Sequence, residues 1–119
     1  MTARLTFPRA RRLTLASEFA KVKAEGKAVH GRLLTLGCLS VDDCPRFRAG
    51  IVVSKRIGQA SVRNSVRRKL RAIIRIEQKK VTDGLWLVLI ARSPSAGAPF
   101  STLRDEWLRL AERASILAP

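Results

Sequence analysis

The chain has 119 residues, which is enough for one domain with a hydrophobic core but too few for two. Hydrophobic residues make up 46% of it and the formal net charge is +15, so the composition excludes a disordered chain and favours an anionic partner: a nucleic acid, a membrane surface or an acidic protein. No apolar run approaches the ~18–20 residues of a membrane-spanning helix, and no apolar stretch typical of a signal peptide follows the first basic residues. We therefore expect a cytoplasmic protein without a membrane partner.

The first half of the chain predicts an irregular arm, one short helix and two strands. A Ser or Thr before the helix can cap it, and a glycine after it can end it. Alternating apolar residues predict the strands, and an Asp- and Pro-containing segment predicts the turn between them. The predicted elements are a basic arm over 1–12, a helix capped by Thr14 or Ser17 that runs to about Glu25 and stops at Gly26, strands over 32–41 and 49–54, and a turn or loop over 42–48.

The second half predicts a long basic helix, a buried strand and a last helix. Residues 85–91 are continuously apolar, as expected of a strand covered on both faces. The predicted elements are a helix from Ala60 or Ser61 to Ile76 or Lys80, a turn over 82–84, a strand over 85–91, a loop over 93–99 and a helix capped by Ser101. This order predicts a small α/β sandwich, and the general rule predicts a right-handed crossover if strands 49–54 and 85–91 are parallel.

The most informative segment is the basic helix and the residues before it. Residues 55–71 hold seven Lys and Arg and no acidic residue. Arg63, Arg67 and Arg71 recur every four residues, so they share one helix face, where like charges repel. We therefore expect that face to meet an anion, and arginine suits phosphate because its planar fork donates two parallel hydrogen bonds. An apolar stripe that can dock the helix on the core is formed by Val62, Val66, Leu70 and Ile73.

The charge is concentrated in one part of the chain. Residues 1–80 hold 20 basic and 5 acidic residues, whereas residues 81–119 hold 4 of each. The C-terminal part is therefore expected to be scaffold. Asn64, among the arginines, can bind a base edge or a 2′-hydroxyl, or it can be a local cap. Phe19 can stack on an unpaired base or belong to the core, and Trp86 and Trp107 are expected in the core.

The sequence offers no catalytic constellation of its own. His30 is the only histidine, so no pair for acid–base transfer is present. Asp42 and Asp43 are expected in a turn rather than at a metal. Cys38 and Cys44 are the only cysteines, and we expect two reduced thiols, although a disulfide stays open. A zinc site needs about four ligands and is not expected.

Eight residues in register connect the second predicted strand to the basic helix. They are Lys55, Gly58, Ala60, Arg63, Asn64, Arg67, Arg68 and Arg71. This pattern resembles the RNR motif of the protein subunit family of bacterial ribonuclease P. The resemblance extends along nearly the whole chain, since residues 12–27, 50–58 and 87–92 are similar to the family's first helix and to the strands before and after the motif.

The resemblance implies a fold and a division of labour. The fold is that of the ribonuclease P protein and of ribosomal protein S5 domain 2, an α+β two-layer sandwich of order α-β-β-α-β-α whose βαβ crossover is left-handed, against the general rule. A large RNA subunit would hold Mg²⁺ and hydrolyse the bond that releases the 5′ leader of precursor tRNA. The protein would bind both RNAs, 1:1 with the catalytic RNA, and would contain no catalytic and no metal-binding residue.

The resemblance also implies two groups of site residues in this single RNA-binding domain. The residues implied to contact the catalytic RNA are Arg63, Asn64, Arg67, Arg68 and Arg71. The residues implied to bind the precursor-tRNA leader are Phe19, Lys23, Lys55, Arg56 and Arg92.

Two positions depart from the family's pattern. Lys23 stands where members often carry a second aromatic residue, one helical turn after Phe19. The chain has no tyrosine, and Leu36 stands at the strand position where an aromatic is expected. The resemblance places the leader in a cleft between the sheet and the first helix. We therefore expect less base stacking in this cleft and more electrostatic binding.

Two other classes are compatible with the residues alone. A structural RNA-binding protein of ribosomal type would share the basic helix but would not need Lys55, Arg56 and Arg92. An autonomous nuclease is disfavoured because no acid–base or metal cluster is present.

Overall fold

Residues 11–42, 44 and 46–118 are described by the computed structural model. Most of the predicted arm, residues 1–10, therefore lies outside the described residues, together with Asp43 and Pro45 of the predicted turn. The helices and strands are α1 (Ala16–Glu25), β1 (Lys27–His30), β2 (Leu34–Ser40), β3 (Arg48–Val52), α2 (Ala60–Glu77), β4 (Leu85–Ala91) and α3 (Phe100–Arg113). Each predicted helix and strand is present, and β1 is an additional strand.

The strands form one mixed sheet in the order β1-β2-β4-β3. β3 and β4 are parallel, as predicted, and α2 connects them. β2 pairs antiparallel with β1 and with β4. The predicted order of helices and strands lacked β1. This strand has only four residues, and none of them is fully buried. Such a short edge strand lacks the apolar alternation that identifies strands in a sequence.

α2 and α3 cover one face of the sheet and form the main core with it. Inward-facing leucines of β2 and β4 meet Trp107 of α3, which is 1% exposed. From the predicted stripe of α2, Val66, Leu70 and Ile73 are buried and Val62 is half-buried. The stripe therefore docks α2 on the sheet as predicted, which leaves the opposite side of the helix for its arginines.

α1 crosses the other face of the sheet on a row that contains two glycines. Gly37, Val88 and Gly50 are register neighbours on β2, β4 and β3. A Cβ atom on Gly50 would lie 2.6 Å from the Phe19 ring, and one on Gly37 would lie 3.3 Å from the Val22 side chain. Because both positions lack a Cβ, α1 can approach the sheet closely with these two side chains.

The predicted helix caps were wrong, whereas the predicted stop of α1 at Gly26 is confirmed. The N-cap of α1 is Leu15, and the Glu18 carboxylate accepts hydrogen bonds from the backbone N–H groups of Thr14 and Leu15, both at 3.0 Å. α3 begins at Phe100, before the Ser101 that was expected to cap it. A carboxylate inside the first turn replaces the hydroxyl cap in α1, which the propensity of Ser and Thr alone does not indicate.

Two buried glutamates connect the helices to the rest of the fold. Oε2 of Glu106 in α3 accepts the backbone N–H groups of Leu33 and Leu34, each at 2.6 Å, where β2 begins. Glu77 at the end of α2 is 1% exposed and binds Arg104 of α3 at 2.6 Å. Burial alone would raise the pKa of Glu77, but the hydrogen bonds and charges of Lys80 and Arg104 hold its pKa below the ordinary value.

The structure also describes the two cysteines and the character of the helices. Cys38 is buried and Cys44 is half-buried, and both are free thiols. Within the part of the chain that the structure describes, no helix has both the length and the apolar character needed to cross a membrane.

Candidate nucleic-acid interface

Four arginines and one asparagine of α2 line a single open cavity of about 470 Å³. We call this set the arginine surface, and it consists of Asn64, Arg67, Arg68, Arg71 and Arg75. The structure thus brings together four of the five residues that the resemblance assigned to the catalytic RNA. Arg67 Nη1 donates to Asn64 Oδ1 at 2.9 Å. That bond fixes the Arg67 guanidinium and leaves the Asn64 amide nitrogen available as a donor.

The structure adds one residue to this surface and separates another from it. Arg75 follows Arg71 by four residues, so the spacing of the other arginines also indicates Arg75, although the RNR-like motif ends at Arg71. Arg63 does not line the cavity. Its side chain is half-buried, and its Nε atom is buried with no hydrogen-bond partner among residues 11–42, 44 and 46–118.

No acidic side chain of α2 offsets the charge of the arginine surface. Glu77 is the only acidic residue of the helix, and it is turned inward to Arg104 and Lys80. Arginines at positions 67, 71 and 75 lie one turn apart, where like charges repel by a few tenths of a kcal/mol per pair. An RNA backbone relieves this repulsion, because each phosphate can accept two guanidinium hydrogen bonds.

A second surface lies on the sheet face that α1 only partly covers. His30, Thr35, Ile90 and Val52 are register neighbours across all four strands, and we call this row the platform. Ile90 is 37% exposed, and none of the four is fully buried. A row with two branched aliphatic side chains and a threonine gives a flat, half-apolar surface that a nucleobase can cover.

The platform corrects one expectation about the cleft. Leu36, where the sequence suggested a missing aromatic, is fully buried in the main core beneath α2 and α3. Side chains alternate along a strand, so the neighbouring Thr35 faces the platform instead. The cleft therefore presents Thr35, Ile90 and Val52 rather than a leucine at its floor.

Three of the five predicted leader residues follow β3 or β4 at the strand ends where the platform lies, and a fourth, Lys23, is on α1. Lys55 and Arg56 follow β3 and are exposed, and Arg92 follows β4 at the same end of the parallel pair. Arg92 Nη1 donates to the carbonyl of Gly31 in the turn between β1 and β2. Successive helical residues are ~100° apart, so Lys23, which is exposed, lies on the flank of α1 opposite Glu18.

Phe19, the fifth predicted leader residue, faces a different cavity. This cavity of about 360 Å³ lies at the open edge of β3, between the start of α1 and α2, and we call it the edge cavity. Its apolar walls are formed by Leu13, Phe19, Ile51 and Ile74. Its basic rim is formed by Arg12, Arg67, Arg71 and Arg75. Phe19 is half-buried against Gly50, so it belongs to the core and also has an accessible edge.

The end of the sheet away from the platform is occupied by internal contacts. Arg48 Nη1 donates to Glu18 Oε2 at 2.6 Å, and the Arg48 guanidinium lies 5.4 Å from the centre of the half-buried Trp86 ring. Lys21 Nζ lies 5.6 Å from the same ring. Burial would raise the pKa of Glu18, but the N–H groups of Leu15 and Thr14 and the Arg48 contact lower it. These charges hold α1 in place and are less available to a partner.

The side chains of both surfaces are suited to binding an anionic partner. In the described ranges, no group of three His, Cys, Asp or Glu side chains could hold a metal ion, and Glu18, Glu77 and Glu106 are all engaged by donors within the fold. The hydrogen-bond donors at these surfaces are guanidinium, ammonium and amide groups, which lie beside apolar patches. This combination is typical of an RNA-binding protein, here with an α+β fold.

Comparison with known proteins gives the family. Residues 7–115 match the family model described as Ribonuclease P, and the chain belongs to the ribonuclease P protein family, whose members are the protein components of a ribonucleoprotein endoribonuclease of tRNA processing. The family and the function predicted from the RNR-like register are thus confirmed at this level. The ribosomal-type alternative and the autonomous nuclease have no support from these matches.

The similar proteins cover nearly the whole chain. The ribonuclease P protein component of Gluconacetobacter diazotrophicus is 38% identical over 91% of this chain and 94% of its own length. That of Symbiobacterium thermophilum is 33% identical over 92% and 95%. The solved RNase P protein from Thermotoga maritima superposes with a TM-score of 0.76 at 28% identity, covering 86% of this chain and 96% of its own. The Staphylococcus aureus RNase P protein gives 0.85 at 22% identity over 92% and 100%, which shows the shared fold.

Proposed function

We propose that this protein assists ribonuclease P by binding two RNAs on two surfaces of one domain. The arginine surface, together with Arg63, holds the catalytic RNA. The platform, with Lys23, Lys55, Arg56 and Arg92 around it, holds the single-stranded 5′ leader of precursor tRNA. The result is endonucleolytic removal of the leader by a cytoplasmic 1:1 complex.

The observation that carries the proposal is the separation of the two surfaces. The arginine surface is a dense, uncompensated array suited to the backbone of a folded RNA. The platform is flat and half-apolar with cations at its border, which suits unpaired bases and their phosphates. Phe19 lines the edge cavity, which shares Arg67, Arg71 and Arg75 with the arginine surface.

We propose that the RNA subunit carries out the hydrolysis. The described side chains offer no cluster of oxygen ligands for Mg²⁺, so they do not fit a protein-held metal, and we expect the RNA to hold the ion. The protein's own contribution is to neutralise phosphates and to position the leader. Both effects lower the concentration of Mg²⁺ that the complex needs to bring two anionic RNAs together.

The test is precursor-tRNA cleavage at low Mg²⁺ with protein alone, catalytic RNA alone and both together. We expect cleavage only when the RNA is present and clear stimulation by the protein. Cleavage by the protein alone, or no stimulation of the RNA, would contradict the proposal.

Substitutions on each surface distinguish the proposed roles of the two surfaces. Replacing Arg67 and Arg68 with Ala should weaken assembly with the catalytic RNA by about tenfold or more, since two charge-assisted contacts are lost. Replacing Lys23 and Lys55 with Ala should weaken leader-bearing tRNA relative to mature tRNA. Lys79→Ala combined with Arg109→Ala removes the same charge elsewhere and is the control. An identical effect of both test pairs on both RNAs would refute the two-surface assignment.

A further inference from the structure

The edge cavity has the size and the walls of a binding site for a small planar group. Its volume of about 360 Å³ falls at the lower end of the range of ligand pockets in proteins. Ile51 and Ile74 line it from the side of α2, and Phe19 lines it from the side of α1. The floor between them is Gly50, whose missing side chain lets the ring of Phe19 lie directly on the strand. An apolar slot of this kind suits a nucleobase.

The backbone of β3 adds hydrogen-bonding groups to the cavity. Leu13 N–H donates to the Ala49 carbonyl at 2.8 Å, and the bridge between Arg12 and Ala49 is the pairing found on this edge of β3 within the described residues. Backbone groups of alternate residues point to the same side of a strand. Ile51 therefore directs its N–H and C=O to the edge two residues beyond that bridge, where it lines the cavity. An adjacent donor and acceptor match the edge of a base.

The rim of the edge cavity joins it to the arginine surface. Arg67, Arg71 and Arg75 line both cavities. A strand of RNA on the arginine surface therefore passes the mouth of the edge cavity. A nucleotide whose base enters the cavity would keep its phosphate within reach of Arg71 and Arg75, which are both exposed.

We propose that the edge cavity binds the base of one unpaired nucleotide of the catalytic RNA, with the phosphate of that nucleotide on Arg71 and Arg75. The inference rests on the proposed function, because it takes the RNA on the arginine surface as the source of the nucleotide. It also places the accessible edge of Phe19 against that base. Stacking of one base on such walls corresponds to roughly 5- to 150-fold in affinity.

The test fills the cavity without changing any charge. Ile51 is half-buried and lines the cavity, so Ile51→Trp should occupy the space of the base. Ile76, on α2, lines neither cavity and is 40% exposed, so Ile76→Trp is the matched control. We expect Ile51→Trp to weaken binding to the catalytic RNA by about tenfold with an unchanged salt dependence, because no phosphate contact is lost. Ile76→Trp should stay within about twofold of the original protein.

Chemical probing of the RNAs identifies the nucleotide. Dimethyl sulfate is applied to the catalytic RNA and leader-bearing tRNA in complex with the original protein and with the Ile51→Trp protein. We expect one unpaired adenine or cytosine of the catalytic RNA to be protected only in the first complex. The inference is overturned if no nucleotide differs between the complexes, or if the nucleotide that differs lies in the leader.

Two further comparisons keep the result interpretable. If circular dichroism shows that Ile51→Trp does not fold, Ile51→Phe fills part of the same space and carries the same two measurements. If the Arg67→Ala and Arg68→Ala changes leave binding to the catalytic RNA unaltered, the proposed function itself fails. If they weaken binding whereas the Ile51 variants do not, only the inference about the edge cavity fails.

Discussion

Glu106 should contribute several kcal/mol to the free energy of unfolding, although it is a charged residue on a helix. Its Oε2 atom accepts two backbone hydrogen bonds of 2.6 Å from Leu33 and Leu34, and the residue is 4% exposed. The backbone of Gly31 approaches so closely that a Cβ atom there would lie 2.9 Å from the carboxylate. Glu106 therefore fixes the start of β2 and the turn that Arg92 contacts.

The magnitude follows from the two bonds. A hydrogen bond to a charged group contributes about 1.5–3 kcal/mol, so Glu106→Ala, which leaves two buried N–H groups without an acceptor, should cost about 3–6 kcal/mol. In Glu106→Gln the amide oxygen can still accept both N–H groups and loses only the charge, so about 1–2 kcal/mol should be lost. For a domain of this size, each kcal/mol lowers the melting temperature by about 4 °C.

The assay is thermal and urea unfolding of the original protein and the Ala and Gln variants. Asp105→Ala, which removes an exposed carboxylate from the neighbouring position of α3, is the control and should cost less than about 0.5 kcal/mol. A loss below about 1 kcal/mol for Glu106→Ala, or a Gln variant as unstable as the Ala variant, would refute the reasoning.

Three further predictions concern acid stability, packing and salt. Folding lowers the pKa values of Glu77 and Glu18. Their contribution to the free energy of unfolding should therefore be complete above about pH 4.5 and should decrease as the pH drops below that value. Urea titrations at pH 3–6 should show a smaller decrease for Glu77→Gln than for the original protein, and an identical decrease would contradict the assignment. Gly50→Ala should lower the free energy of unfolding by about 1–3 kcal/mol, because the new methyl group meets the Phe19 ring. A double-mutant cycle with Phe19→Ala should show that the two effects are coupled, whereas additive effects would contradict the contact. Replacing both Arg67 and Arg71 with Ala should reduce the slope of log affinity against log salt by roughly 1.4–1.8 in filter-binding assays with the catalytic RNA, and an unchanged slope would exclude phosphate contacts by these two residues.

The sequence predicted those parts of the fold that depend on local pattern. The period of Val66, Leu70 and Ile73 predicted how α2 docks, and the apolar run of β4 predicted a buried central strand. The register that begins at Lys55 predicted the family and most of the arginine surface. These features follow from periodicity and from residue type, which a single sequence contains.

The features that were missed depend on contacts between distant parts of the chain. Glu106 is 73 positions away from the Leu33 N–H that it binds, so its sequence neighbours suggest only an exposed helix face. Phe19 meets Gly50 across the sheet, and nothing near Phe19 predicts a cavity shared with Arg71. β1 is defined by its pairing with β2 rather than by its own composition. Arg75 is different, because its spacing from Arg71 was visible and only the limits of the motif excluded it.

The position of β3 has a mechanical consequence. Val52 lies on the platform, whereas Ala49, Gly50 and Ile51 line the edge cavity. One strand thus contributes residues to both proposed RNA sites. In this arrangement the spacing between ribozyme and leader would be set by the backbone of β3 and not by flexible side chains.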